Sequence, residues 1–255
     1  MTRIPDHRNL SVTNFGTVRN RTYQVAILPW GATEPHNLHL PYLTDAILSG
    51  EVALESARLA AELYGVEAMV LPPVMMGAQN PGQRDLPFCI HYRYDTQRAI
   101  LTDIVDSLAH QSIDKLLIIN GHGGNSFKPM IRDLAVSRPD FTIAVSDWFT
   151  VLPAREYFDN PGDHADELET SVMMHFHPEL VDITTAGPGR SRQWASEELR
   201  RKTAWIPRNW LRVTDDTGIG DPSLATPEKG ARYVADCTAR YAALLRDLAA
   251  NHIYE

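Results

Sequence analysis

The chain has 255 residues, 44% of them apolar and 22% charged, enough to bury a sizeable core and ordinary for a globular protein. Its formal net charge of −8 argues against nucleic acid as the main partner, because phosphate binding needs a basic field. No apolar run is long enough to span a bilayer. The polar stretch 1–9 lacks the apolar segment of a signal peptide, and two cysteines, Cys89 and Cys237, are too few for a disulfide scaffold, so reduced thiols in a cytoplasm are expected.

The first predicted strand, 24–28, is a continuous apolar run, the pattern of a strand covered on both faces. It leads into Trp30–Gly31–Ala32–Thr33–Glu34–Pro35–His36 and on through His39 to Asp45. Ligand sites in open α/β sheets favour the carboxyl ends of strands. Two carboxylates and two imidazoles set there among Gly and Pro suit Zn, Mn or Fe(II), and the lack of Cys disfavours a structural zinc. The same loop also allows Asp45 to do no more than cap the helix expected at 44–64.

A second strand at 67–71 is followed by an irregular stretch, 74–92, rich in Gly and Pro. Within it Arg84 could grip a substrate carboxylate or phosphate, or simply pair with Asp85, and His91 could line a pocket. A helix at 94–111 and a strand at 115–119 lead to Asn120–Gly121–His122–Gly123–Gly124–Asn125. The glycines permit close backbone approach to a ligand, and the amides of Gly123 and Gly124 could polarise a carbonyl. Asn125 is the expected N-cap of a helix over 126–137. No Lys-Ser/Thr pair or Gly-x-Ser-x-Gly elbow accompanies these glycines, which argues against a phosphate loop or a serine nucleophile.

The strand at 141–145 leads into Ser146–Asp147–Trp148, and Trp148 with Trp30 could wall a binding site at the presumed active face. The segment Gly162–Asp163–His164–Ala165–Asp166–Glu167–Leu168–Glu169 opens a helix expected at 165–177. His164 and Glu169 could face one pocket from there, although an acidic helix start is also common without function. His175 and His177 fit a role at the helix dipole. A loop-rich stretch, 183–224, carrying Trp194, Trp205 and Trp210, precedes a last helix at 227–250. Strand–helix alternation predicts an α/β fold with a mostly parallel sheet between helix layers, and no linker marks a boundary within 1–255.

Three segments together carry a resemblance. Glu34 to Asp45 reads Glu-x-His-x-x-His-Leu-Pro-x-x-Thr-Asp, Asn120 to Asn125 reads Asn-Gly-His-Gly-Gly-Asn, and His164 to Ser171 reads His-Ala-x-x-x-Glu-Thr-Ser. With Gly218–Ile219–Gly220–Asp221–Pro222 and Ala225–Thr226–Pro227–Glu228–Lys229–Gly230, they resemble the creatininase (creatinine amidohydrolase) family. The resemblance implies a three-layer α/β/α sandwich and two divalent ions per subunit. Glu34, Asp45 and His122 would hold one ion; His36, a bridging Asp45 and Glu169 would hold the other. It further implies His164 as acid/base, a small-molecule substrate and a homo-oligomer, a hexamer in many members. Such ions would activate a water for attack on a non-peptide amide, cyclic amide or formamide. A lactonase, an isomerase of a sugar-like substrate, or a small-peptide amidase are the alternatives.

Three departures bear on substrate. Gly124 stands where creatininase has a glutamate, which places the chain nearer the Gly-Gly branch of formamide hydrolases and a peptidase of cofactor maturation. The 77–88 segment lacks the family's Ser-x-x-His and Phe-Pro-Gly-Thr patterns, and Asp166 replaces a glycine.

Overall fold

Four apolar runs pair as parallel strands in the computed structural model, which describes residues 6–254. Residues 1–5, part of the polar start expected to carry no signal segment, lie outside the described residues. The strands are β1 (Val25–Trp30), β2 (Ala68–Val70), β3 (Lys115–Asn120) and β4 (Thr142–Asp147), in the spatial order β2–β1–β3–β4. Their register places Trp30 beside Asn120 and Asn120 beside Asp147, so three strands end level at one edge.

Alternate strand side chains feed two cores. Val25, Ile27, Leu117 and Ile119 face a cluster with Leu48, Val52, Val172 and Tyr233. Ala26, Leu28, Leu116 and Ile118 face the other with Leu101, Val105, Met130 and Leu134. The first layer comprises α1 (Thr44–Tyr64), α4 (Glu167–Phe176) and α5 (Pro227–Ala249); the second comprises α2 (Tyr94–His110) and α3 (Lys128–Ser137). This is the expected three-layer sandwich, and the sheet is wholly parallel. The central strands β1 and β3 are walled on both sides and buried almost throughout, which is why they read as unbroken apolar runs, whereas the edge strand β4 is half-buried and ends in Ser146 and Asp147. No described helix is long and apolar enough to cross a membrane.

Helix ends follow local chemistry. Gly65 closes α1 in the left-handed region (φ 67°), and Thr226 caps α5 ahead of Pro227 by accepting from the Lys229 amide. Asp166 caps α4 by accepting from the Glu169 amide, and α4 begins two residues later than expected. Two cap assignments are corrected. Leu43, not Asp45, holds the cap position of α1, which leaves the Asp45 carboxylate free for other contacts. Asn125 does not cap α3, which starts only at Lys128. Instead its side chain accepts from the Ala78 amide at 3.0 Å and donates to Asn120 Oδ1 at 3.0 Å, stitching the β3 loop to the 77–80 segment. Two neighbouring loops that both needed a partner outcompeted one helix end.

Candidate metal centre

Glycines at two strand ends bring the cluster together. A Cβ on Gly31 would lie 2.3 Å from the Ala46 amide nitrogen, and one on Gly121 2.3 Å from the Asp45 carbonyl oxygen. The ends of β1 and β3 therefore press on the backbone of the first turn of α1, and only glycine permits that approach. Both obstacles are main chain and cannot swing aside. Gly121→Ala should lower the melting temperature, on the overpacking scale of about 1–3 kcal/mol, and reduce metal content with it. Thermal melts with metal analysis would check this; unchanged metal content would separate Asp45 from this contact.

Around that turn the three segments converge. Glu34, His36, Asp45, His122, His164 and Glu169 are all buried. Ligand atoms of Glu34, Asp45 and His122 lie within 4.8 Å of one another, as do those of His36, Asp45 and Glu169, and of Glu34, His36 and His164. The first two groups share Asp45.

Each of the three histidines donates one ring N–H to a main-chain carbonyl. His36 Nδ1 lies 3.0 Å from the Glu34 carbonyl oxygen, His122 Nε2 2.7 Å from that of Ala78, and His164 Nε2 2.9 Å from that of Pro35. A carbonyl can only accept, so these nitrogens carry the protons and the opposite nitrogens of the neutral rings carry lone pairs. Those lone pairs face the carboxylates. His36 Nε2 is 2.9 Å from Asp45 Oδ1, His122 Nδ1 is 2.9 Å from Glu34 Oε1, and His164 Nδ1 is 3.7 Å from Glu34 Oε1. Lone pairs aimed at anions repel unless a proton or cation lies between them.

The charge balance says the same. Burial holds imidazolium down, yet the Asp45 carboxylate beside it carries His36 up to about 9. His122 is likewise raised by Glu34 and Asp45 against its burial. Burial pushes the Glu169 carboxyl up to about 8, opposed by His36. His164 moves the other way, held down by burial and by the His36 charge. Asp45 Oδ2 is buried with no hydrogen-bond partner among the described residues, although His122 Nδ1 stands 3.2 Å away without hydrogen-bond alignment. An orphaned carboxylate oxygen and outward lone pairs fit divalent cations, and the oxygen–nitrogen donor set suits Zn, Mn or Fe(II).

The cluster floors a cavity of about 1190 Å³, bordered by Gly123, Gly124, Thr150 and Asp163 and roofed by the 193–210 loop. Trp210 packs edge-on against His164 at 5.2 Å, and Arg208 stacks on Trp210 at 5.0 Å while pairing with Asp163. The expected aromatic wall is corrected here. Trp30 and Trp148 are fully buried, Trp30 against Phe127 and Trp148 against Tyr233, and neither borders the cavity. Strand-end tryptophans at the rim of a two-sided sheet point into the helix layers. Arg84 is exposed on the outer side of its turn, without an ion pair to Asp85 among the described contacts. His91 accepts from the Gln79 amide at 2.9 Å and so supports the cavity wall from behind. Gln83 and Trp210 were missed as site residues; a long loop with three tryptophans was the available signal for the second.

A parallel three-layer fold with this carboxylate–imidazole cluster at its strand ends defines a metal-dependent amidohydrolase. The chain belongs to the creatininase family, whose model, described as creatinine amidohydrolase, matches residues 8–245. It is 30% identical over 234 residues to the mycofactocin precursor peptide peptidase of Mycobacterium ulcerans, covering 87% of this chain and 86% of the relative. It is 29% identical over 179 residues to the creatinine amidohydrolase of Pseudomonas putida, covering 62% and 66%. A solved Bacteroides fragilis structure, assigned provisionally as a creatinine amidohydrolase, superposes with a TM-score of 0.97 at 55% identity over 99% of this chain and 100% of that one. A manganese creatininase shares the fold at a TM-score of 0.76 and 23% identity, covering 94% and 98%.

Gly124 also finds its reason. A Cβ there would lie 2.2 Å from the Ala78 carbonyl oxygen and 2.4 Å from His122 Nε2, the two atoms of the bond that orients the His122 ring. A side chain at this position would displace that bond.

Proposed function

We propose that Glu34, Asp45 and His122 hold one divalent ion, that His36, Asp45 and Glu169 hold a second, and that the chain hydrolyses a carbon–nitrogen bond of an amide, cyclic amide or formamide. The observation that carries this reading is the common orientation of the three histidines, each tied to a carbonyl and turning a lone pair inward. When bound, such ions supply Lewis acidity and bring the ionisation of water toward neutral pH.

The residues do the rest. Burial and the His36 charge favour the neutral form of His164, and its Nδ1 faces Glu34 in the cluster, so it accepts a proton there and returns it to the departing nitrogen. The Pro35 carbonyl fixes the tautomer for this task. Gly123 and Gly124, at the cavity edge, offer backbone amides to the substrate carbonyl. Trp210, edge-on to His164, and Arg208, stacked on it, border the same cavity. The two free cysteines fit a reducing cytoplasm, and 1–255 serves as one functional unit, assembled as a homo-oligomer as its family resemblance implies.

One observation favours a second reading, a small-peptide amidase. A cavity of about 1190 Å³ exceeds the roughly 300–1,000 Å³ of pockets that bind drug-sized ligands, and so exceeds what a single small ring requires. The similarity to a peptide peptidase points the same way. A screen of formamides, cyclic amides, short peptides and lactones, scored for released amine or ammonia, tests both. Acid release from lactones alone would overturn amide cleavage, and turnover after chelation would exclude the metal reading.

Acid should weaken metal binding. The ligands bind metal deprotonated, whereas without metal His36 holds its proton up to about 9 and Glu169 up to about 8. Affinity should therefore rise with pH toward that range, roughly tenfold per pH unit for each proton displaced. Calorimetric titration of Mn(II) in buffers of different ionisation heat would count those protons; zero released protons would contradict the assignment.

A further inference from the structure

We infer that Gln83, in the segment that departs from the family pattern, is a positioning residue that makes Glu34 a single-oxygen ligand. This rests on the metal reading above. Gln83 is buried, and its side chain spans two groups of known polarity. Its Oε1 accepts from the Asn80 amide at 2.6 Å. A main-chain N–H can only donate, so the amide oxygen must face Asn80, and the NH2 end must face Glu34, where it donates to Oε2.

With Oε2 taken, Glu34 turns Oε1 into the cluster, 2.9 Å from His122 Nδ1 and 4.0 Å from His36 Nε2. The turn that carries Gln83 is held in place. Gly82 adopts φ 86°, a Cβ there would lie 2.9 Å from Asn209 Oδ1, and the Trp210 amide donates to the Pro81 carbonyl at 2.8 Å. Gln83 thus ties a metal ligand to the loop that roofs the cavity. Amide donors behind a ligating carboxylate fix which oxygen binds, and their loss typically weakens metal affinity 10–100-fold.

The test is stepwise Mn(II) binding by calorimetry, with melting curves, on wild type, Gln83→Leu and Gln83→Glu. Gln83→Glu keeps an acceptor for Asn80 but sets a second carboxyl against Glu34. Gln83→Leu removes the donor without adding charge, so the two together separate loss of the bond to Glu34 from loss of the bond to Asn80. Both variants should bind one Mn(II) equivalent about 10–100-fold more weakly and the other nearly unchanged, with little change in melting temperature. Two equivalents with wild-type affinities in either variant would overturn the inference. So would equal weakening of both equivalents with a lowered melting temperature, which would mark a merely structural role. Wild type binding no Mn(II) would instead overturn the metal reading on which the inference stands.

Discussion

Asp45→Ala is expected to lose both metal equivalents and turnover together. Asp45 is the one residue common to the Glu34–His122 and His36–Glu169 groups, and its Oδ2 has no other partner among the described residues. Removing it takes an anion from both groups and leaves His36 Nε2 facing nothing at 2.9 Å. Divalent ions contribute several kcal/mol of charge stabilisation in reactions of this type, so the rate should fall roughly 10³-fold or more. The variant should still fold, because Gly31 and Gly121 touch the backbone at Asp45 and Ala46, not the carboxylate. Metal analysis beside a rate assay decides the matter, and an active variant holding two equivalents would sink the two-metal assignment.

His164→Ala is the complementary case: metal retained, turnover lost. His164 belongs to a third candidate group, with Glu34 and His36, so it has the geometry of a ligand as well as of a proton carrier. The two roles separate in one experiment. A carrier's loss lowers kcat by about 10²–10⁴-fold with both metal equivalents in place. A ligand's loss removes one equivalent. The distances favour the carrier, since its Nδ1 stands 3.7 Å from Glu34 Oε1, whereas His122 Nδ1 approaches to 2.9 Å. Its ring is also held between His36, 4.3 Å away, and the edge of Trp210, which limits its movement toward the cluster.

Much of this architecture was legible in the residues, for a physical reason. Strands walled on both sides have nowhere to put a polar residue, so Ala26–Ile27–Leu28 and Leu116–Leu117–Ile118–Ile119 declare themselves. The metal-binding candidates were legible because their three segments sit at strand and helix ends rich in Gly and Pro, and carry side chains that burial alone would not choose. What failed to show depends on where a loop returns. A strand-end tryptophan reads the same whether it walls a cavity or fills a helix layer, and Trp30 and Trp148 do the latter. Asn125 looked like a cap until the 77–80 segment arrived to take its oxygen. Gln83 differs from its exposed neighbour Arg84 only in which side of one turn it occupies, and no periodicity marks that.

The pairing of β1 with β3 has a consequence for how the chain reaches its native state. Glu34 and Asp45 follow β1, His122 follows β3, and Glu169 lies in α4, so the proposed ligands are scattered over some 135 positions of chain. A disordered chain cannot gather them before that long-range parallel pairing forms, which is a slow event in folding. Ions held by these residues would therefore have little hold on early, loosely collapsed forms and would act on the finished fold. Metal in solution would then shift the unfolding equilibrium by mass action, by about 2.7 kcal/mol at a hundred times its dissociation constant for each proposed site. The catalytic ions would serve as a late lock on the sheet.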